Sequence, residues 1–110
     1  MSEQSSYRVI SLRGELDISR KAEIGAALQI AGPGPAVLVD LSDVQYADST
    51  IIAEMLRFRE DARRCGRRLA VLIGDPRFRR VLQYAGLESA FALFEDRGAA
   101  LTYLSAAETT

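Results

Sequence analysis

No histidine occurs anywhere in the 110 residues. That removes the side chain whose ordinary pKa suits proton transfer near neutral pH, and with it any Ser–His or Cys–His nucleophile pair. Cysteine is represented by Cys65 alone, which excludes an internal disulfide framework. Its position on the apolar side of a helical pattern predicts a packed, inert thiol. No apolar run approaches the ~20 residues of a membrane-spanning helix. The opening Met1-Ser2-Glu3-Gln4-Ser5-Ser6 lacks the basic and apolar stretches of a secretion signal. The expectation is a cytoplasmic protein without membrane contact. A phosphate-cradling loop of Walker type is missing too, because Gly32-Pro33-Gly34-Pro35 is stiff and carries no Lys. Metal ligands would have to be carboxylates, and Asp40, Asp43 and Asp48 form the sole cluster. Turn and cap roles account for them, so neither a metal nor a cofactor is expected. These absences exclude most enzyme chemistry.

The residues present describe one soluble domain. A hydrophobic fraction of 48% over this length suffices for a core without staples. We read residues 1–6 as a flexible N-terminus, 7–104 as the domain and 105–110 as a tail. The net charge of -1 conceals an uneven distribution: nine Arg lie between Arg57 and Arg80, against Glu60, Asp61 and Asp75. With neither interleaved aromatics nor a nucleic-acid motif, direct nucleic-acid binding is not expected. The patch reads as a solvated helix face pairing Arg57 with Asp61 and Glu60 with Arg64, and a surface for an acidic partner protein stays open.

The chain is organised around residues 36–65. Ala36-Val37-Leu38-Val39, ending in Asp40, is a continuous apolar run and predicts a buried strand of a mostly parallel sheet. After a loop, Asp48-Ser49-Thr50 favours a helix start. Behind it Ile51, Met55, Phe58, Ala62 and Cys65 draw one apolar stripe. Ile52 and Leu56 fall off that stripe, free to meet a partner or to widen the buried face. Hydroxyls at an open helix start suit an anion, and a phosphate added there would be favoured by the dipole.

Around this centre, residues 7–13 read as a strand, with Gly14 marking a bulge and residues 15–18 completing it. Asp17 or Ser19 caps a helix near residues 20–30, with Ile24, Ala27, Leu28 and Ala31 on its buried face. The Gly-Pro tetrad stops that helix. Residues 68–73 form a second buried strand, and Asp75-Pro76 opens a helix burying Phe78, Val81, Leu82 and Ala85. Residues 90–94 make a short strand, and Asp96 caps a last helix containing Ala100, Leu101, Tyr103 and Leu104. Alternating strands and helices imply an α/β fold with parallel pairing.

The run LVDLSDVQYADST resembles the signature of STAS domains, above all the bacterial anti-sigma factor antagonists, and Gly14-Glu15-Leu16-Asp17 matches a second element of that family. The resemblance extends over about residues 7–104. It implies a single STAS domain: a mixed, mostly parallel sheet of four or five strands, with about four helices largely on one face. It implies a non-enzymatic switch that binds an anti-sigma factor of serine-kinase type, so freeing a sigma factor for transcription. The family's phosphorylated hydroxyl maps onto Thr50, with Ser49 as the alternative. Where the family has Gly next, this chain has Ile51. Tyr46, Asp48, Ser49, Thr50, Ile52 and Leu56 would then contact the partner, and Asp17 and Asp40 would line the phosphosite. The implied partners are an anti-sigma kinase and a resetting phosphatase, with the domain itself a monomer or weak homodimer. An unphosphorylated STAS module is the alternative: a constitutive antagonist or a small subunit of a lipid-transport ABC complex. Leu38-Val39-Asp40 also resembles the acceptor strand of a phospho-aspartate receiver, a third reading that is disfavoured since Arg13-Gly14 stands where its acidic pair belongs and Lys21 is the only lysine.

Overall fold

The computed structural model describes residues 7–30 and 36–106. The N-terminal segment, Ala31, the Gly-Pro tetrad and the last four residues lie outside the described part.

Four strands form one sheet in the order β1-β2-β3-β4: β1 (Arg8–Leu16), β2 (Ala36–Ala47), β3 (Arg68–Ile73) and β4 (Leu93–Phe94). Every pairing among the described residues is parallel. Helices α1 (Lys21–Ile30), α2 (Ser49–Arg64), α3 (Pro76–Tyr84) and α4 (Arg97–Ala106) follow the four strands in turn. The pleat explains the layering. Val37, Val39 and Leu41 of β2 face the main core, with Ile24 and Leu28 of α1, Ile51 and Met55 of α2, and Phe78 and Leu82 of α3. Ala36 and Leu38 face the other way, joined by Ala70, Leu72, and Ala100 and Leu104 of α4. Helices α1, α2 and α3 thus cover one face and α4 the other. Burial from both sides is why the first half of β2 is apolar without alternation.

β2 is longer than expected. The residues after Asp40 continue as strand to Ala47, where the sequence suggested a loop. Two register irregularities against β1, between Ser11 and Arg13 and between Gly14 and Glu15, each insert an extra residue into β2. They place Leu41, Val44 and Ala47, three apart, all in the core. That spacing breaks the period of two by which a strand is recognised. Gly14 sits at the second irregularity with a φ of 80°, a conformation that costs other residues energy. Ile18 lies beyond the strand in a 3-10 turn (Ile18–Arg20) and is exposed.

Four smaller expectations are corrected. Cys65 is exposed: it follows the last helical residue as the C-cap of α2, where the chain leaves the stripe to turn at Gly66. Ala85 is likewise an exposed C-cap. Only Leu93 and Phe94 of residues 90–94 are strand, and Phe91 plugs the main core ahead of them. The charged face of α2 pairs at i,i+3, through Arg57–Glu54, Arg63–Glu60 and Arg64–Asp61, in place of the expected i,i+4 pairs.

Candidate functional site

Parallel strands bring their C-terminal ends to one rim, and there three aspartates each begin a helical turn. Asp17 follows β1, and its Oδ1 accepts the amide of Ser19 at 3.0 Å and also the Ser19 hydroxyl. Asp48 follows β2 and caps α2, Oδ1 accepting the Ile51 amide at 3.0 Å. Asp75 lies two residues past β3 and caps α3, accepting the Arg77 amide at 2.8 Å. Each takes up a backbone donor that a helix start would leave unpaired. Leu16 is paired with Ala47, and the Asp48 amide donates to the Leu16 carbonyl at 3.1 Å. Asp17 and Asp48 are therefore held on adjacent strand ends.

Ser49 and Thr50 occupy the first turn of α2 immediately beyond this tie. Ser49 is exposed and Thr50 half-buried. Ile51 is fully buried in the main core. Its branched side chain points away from the rim and is the first residue of the apolar stripe. Tyr46, paired with Glu15, is 44% exposed. The rim thus presents two hydroxyls and a tyrosine at the positive end of a helix dipole.

Two candidate residues belong elsewhere. Asp40 lies on the same strand as Ala47, on the order of 15 Å upstream. Its carboxylate turns to the α4 face, accepting the amide and hydroxyl of Ser42 and pairing with Arg97 at 3.2 Å. It was expected beside Thr50 but lies apart from it, because the pleat at Asp40 faces away from α2. Partial burial raises its pKa, but the bonds from Ser42 and Arg97 outweigh this and hold the carboxyl below its usual range. Ile52, at 8% exposure, is a core residue, and Leu56 packs half-buried against the same core. Both widen the buried face.

Three residues join the rim that sequence reasoning did not single out. Ile18 is 62% exposed beside Asp17. Arg20 pins the end of β1: its guanidinium donates to the carbonyls of Arg13 and Glu15 and pairs with Glu23 at 3.0 Å. The i,i+3 spacing to Glu23 was readable, whereas the reach back to two carbonyls needs the bend at Gly14. Arg77 pairs with Asp75 at 2.7 Å, and Glu15 adds to the charge that raises its pKa. The first turn of α3 accordingly shares the rim's electrostatics. Among the described residues, no three acidic or thiol side chains are grouped to hold a metal ion, and no helix is long and apolar enough to cross a membrane.

Comparison with known proteins fits this architecture. The chain is similar to an anti-sigma factor antagonist from Mycobacterium paratuberculosis in crystal structure, with 25% identity and a TM-score of 0.80, over 94% of this chain and 90% of that one. A sulfate transporter family protein from Wolinella succinogenes shares the fold at 16% identity and a TM-score of 0.82, over 98% and 93% of the two chains. No curated protein matches. The family model described as "Mlab, STAS domain" matches residues 1–95, which take in every strand and the whole rim. The chain belongs to the STAS domain family.

Proposed function

We propose that this domain is an anti-sigma factor antagonist, switched by phosphorylation at Thr50. The observation that carries the reading is the hydroxyl pair on a rim whose backbone is tied from Leu16 to Asp48, in a chain similar to an antagonist of that kind. Tyr46, Ile18 and the exposed start of α2 form the docking edge for an anti-sigma factor of serine-kinase type. Ile52 and Leu56 act from behind, fixing the helix on the core. In this reading the chain is the kinase's substrate and not a catalyst. The bound kinase would transfer the γ-phosphoryl group of ATP to the Thr50 hydroxyl, releasing ADP and the hydroxyl proton.

The added phosphate brings about -1.5 to -2 charges. With Asp48 two residues away and Asp17 on the adjacent strand end, a docked partner would bury like charges together. A penalty of about 3 kcal/mol weakens binding roughly a hundredfold, with no change of fold required. A phosphatase resets the switch.

The test is intact mass after incubation with ATP and the anti-sigma kinases of the source organism, beside Thr50→Ala. Gain of one phosphate, lost in Thr50→Ala, supports the switch; label retained in that variant and lost in Ser49→Ala moves the acceptor to the exposed neighbour. A stable complex without label indicates a constitutive antagonist. Neither label nor complex favours the second reading, a small subunit of a lipid-transport complex. The Mlab description of the matching family model speaks for that alternative, as does Ile51 where antagonists have Gly.

A further inference from the structure

We propose that the opposite end of the molecule carries a binding pocket for a phosphate monoester attached to an apolar body. A cavity of about 390 Å³ opens there, between the C-terminal half of α2 and the segment that leads into β4. Thirteen residues of helix separate Thr50 from Arg63, roughly 20 Å at 1.5 Å per residue. The pocket is therefore distinct from the rim.

Its charge is one-sided. Arg59, Arg63 and Arg67 line it, and no carboxylate does. Arg59 and Arg63 are one helical turn apart on the same face of α2. Arg67 reaches the same cavity because Gly66, with φ 70°, turns the chain and the Arg67 amide bonds back to the Ala62 carbonyl at 2.8 Å. Several arginines elsewhere meet carboxylates more closely: Arg20, Arg57, Arg77, Arg79 and Arg97 each have one within 3.2 Å, while Arg64 reaches Asp61 at 3.8 Å. Here Glu60 alone is near, offering one oxygen at 3.9 Å from Arg59 and 3.5 Å from Arg63.

The chemistry of the lining names the ligand class. Guanidinium forks match phosphate oxygens two at a time, and the Ser89 hydroxyl adds a neutral donor. Phe91 and Tyr103 supply apolar wall, and Tyr103 is held in place by Arg68, whose guanidinium stacks 4.3 Å from the ring centroid. The cavity has the volume of a small-molecule site and far exceeds a bare phosphate. A dianionic phosphate monoester with an aromatic or aliphatic body satisfies both halves. Such a group occurs in soluble metabolites and in the headgroup of phosphatidic acid.

Titration calorimetry with phenyl phosphate and with inorganic phosphate tests the soluble source. Co-sedimentation with phosphatidylcholine vesicles, with and without phosphatidic acid, tests the lipid source. Arg63→Gln is the main variant, because its side chain is largely exposed and substitution at such a position should leave the fold intact. Binding should weaken about tenfold in Arg63→Gln, as expected for losing one charge-assisted contact. It should tighten in Glu60→Gln and stay unchanged in Arg80→Gln, whose side chain lies outside the pocket. Saturable binding of phenyl phosphate, tighter than that of phosphate alone, assigns a soluble ligand. Binding confined to phosphatidic acid vesicles, with the same variant pattern, assigns the lipid. No saturable binding in either arm overturns the proposal. So does binding that Arg80→Gln weakens as much as Arg63→Gln, since bulk charge would then suffice.

Discussion

The backbone N–H of Asp48 donates to the carbonyl of Leu16 at 3.1 Å, so the head of α2 hangs from the last residue of β1. The same residue caps the helix with its side chain, leaving one aspartate to fix both the position and the start of α2. In Asp48→Ala the backbone tie survives and the cap is lost, at a cost of about 1 kcal/mol. Asp48→Asn keeps an acceptor oxygen and should recover most of that loss while removing the charge. Urea unfolding midpoints would check this. Equal destabilisation by both substitutions would mean that the carboxylate charge, and not the cap, is what α2 needs.

Gly74, just past β3, is a position of close backbone approach. A Cβ there would stand 2.7 Å from the carbonyl oxygen of Ser42, a contact with main chain that no rotamer change can relieve. Gly74→Ala should destabilise by about 1–3 kcal/mol, the usual cost of overpacking. Gly25, in α1, has open space where its Cβ would be. Gly25→Ala should instead stabilise by roughly 0.5–1 kcal/mol through reduced backbone entropy of the unfolded chain. Thermal melts of the two variants should move in opposite directions.

The helix starts were legible because capping is local chemistry: Asp48, Asp75 and Asp96 each stand where sequence alone placed them. So were the buried first half of β2 and the stripe Ile51, Met55 and Ala62, because period and composition carry that information. What sequence could not show depends on neighbours. Asp40 belongs to the α4 face because α4 folds back beneath β2 and β3, a placement set by residues more than fifty positions away. Ile52 is core because α2 lies flat enough on the sheet to bury its flank. The second half of β2 was hidden by two register irregularities that turn a period of two into a spacing of three.

Cys65 illustrates how a periodic stripe misleads at its end. The spacing from Ile51 reaches Cys65 only if the helix continues, and α2 stops one residue earlier. The thiol stands exposed, at the edge of a groove lined also by Leu28 of α1 and Phe58 of α2. Under native conditions it should react fully with an aromatic disulfide reagent, at a rate near that of the unfolded chain. Protection that is lifted only by denaturant would show the side chain to be covered after all. Cys65→Ser should leave stability within about 0.5 kcal/mol, as for an exposed surface position.

Asp40 and Arg97 tie α4 to the sheet, with Ser42 supplying two further hydrogen bonds to the same carboxylate. These bonds outweigh partial burial and hold the folded-state pKa of Asp40 below its ordinary value. As pH falls, the unfolded chain therefore takes up this proton first, near pH 4, while the folded protein resists it until lower pH. The contribution is complete above the ordinary carboxylate pKa and is lost as pH drops through the folded value. Asp40→Asn, which cannot ionise, provides the reference. The stability difference between the two proteins should be constant from about pH 7 to 5 and shrink steadily below about pH 4. A difference that persists unchanged to about pH 3, or grows there, would mean that the Ser42 and Arg97 contacts do not favour the ionised form. Added salt separates the two kinds of bond: it should weaken the half-exposed Arg97 pair and leave the short hydrogen bonds from Ser42 largely intact.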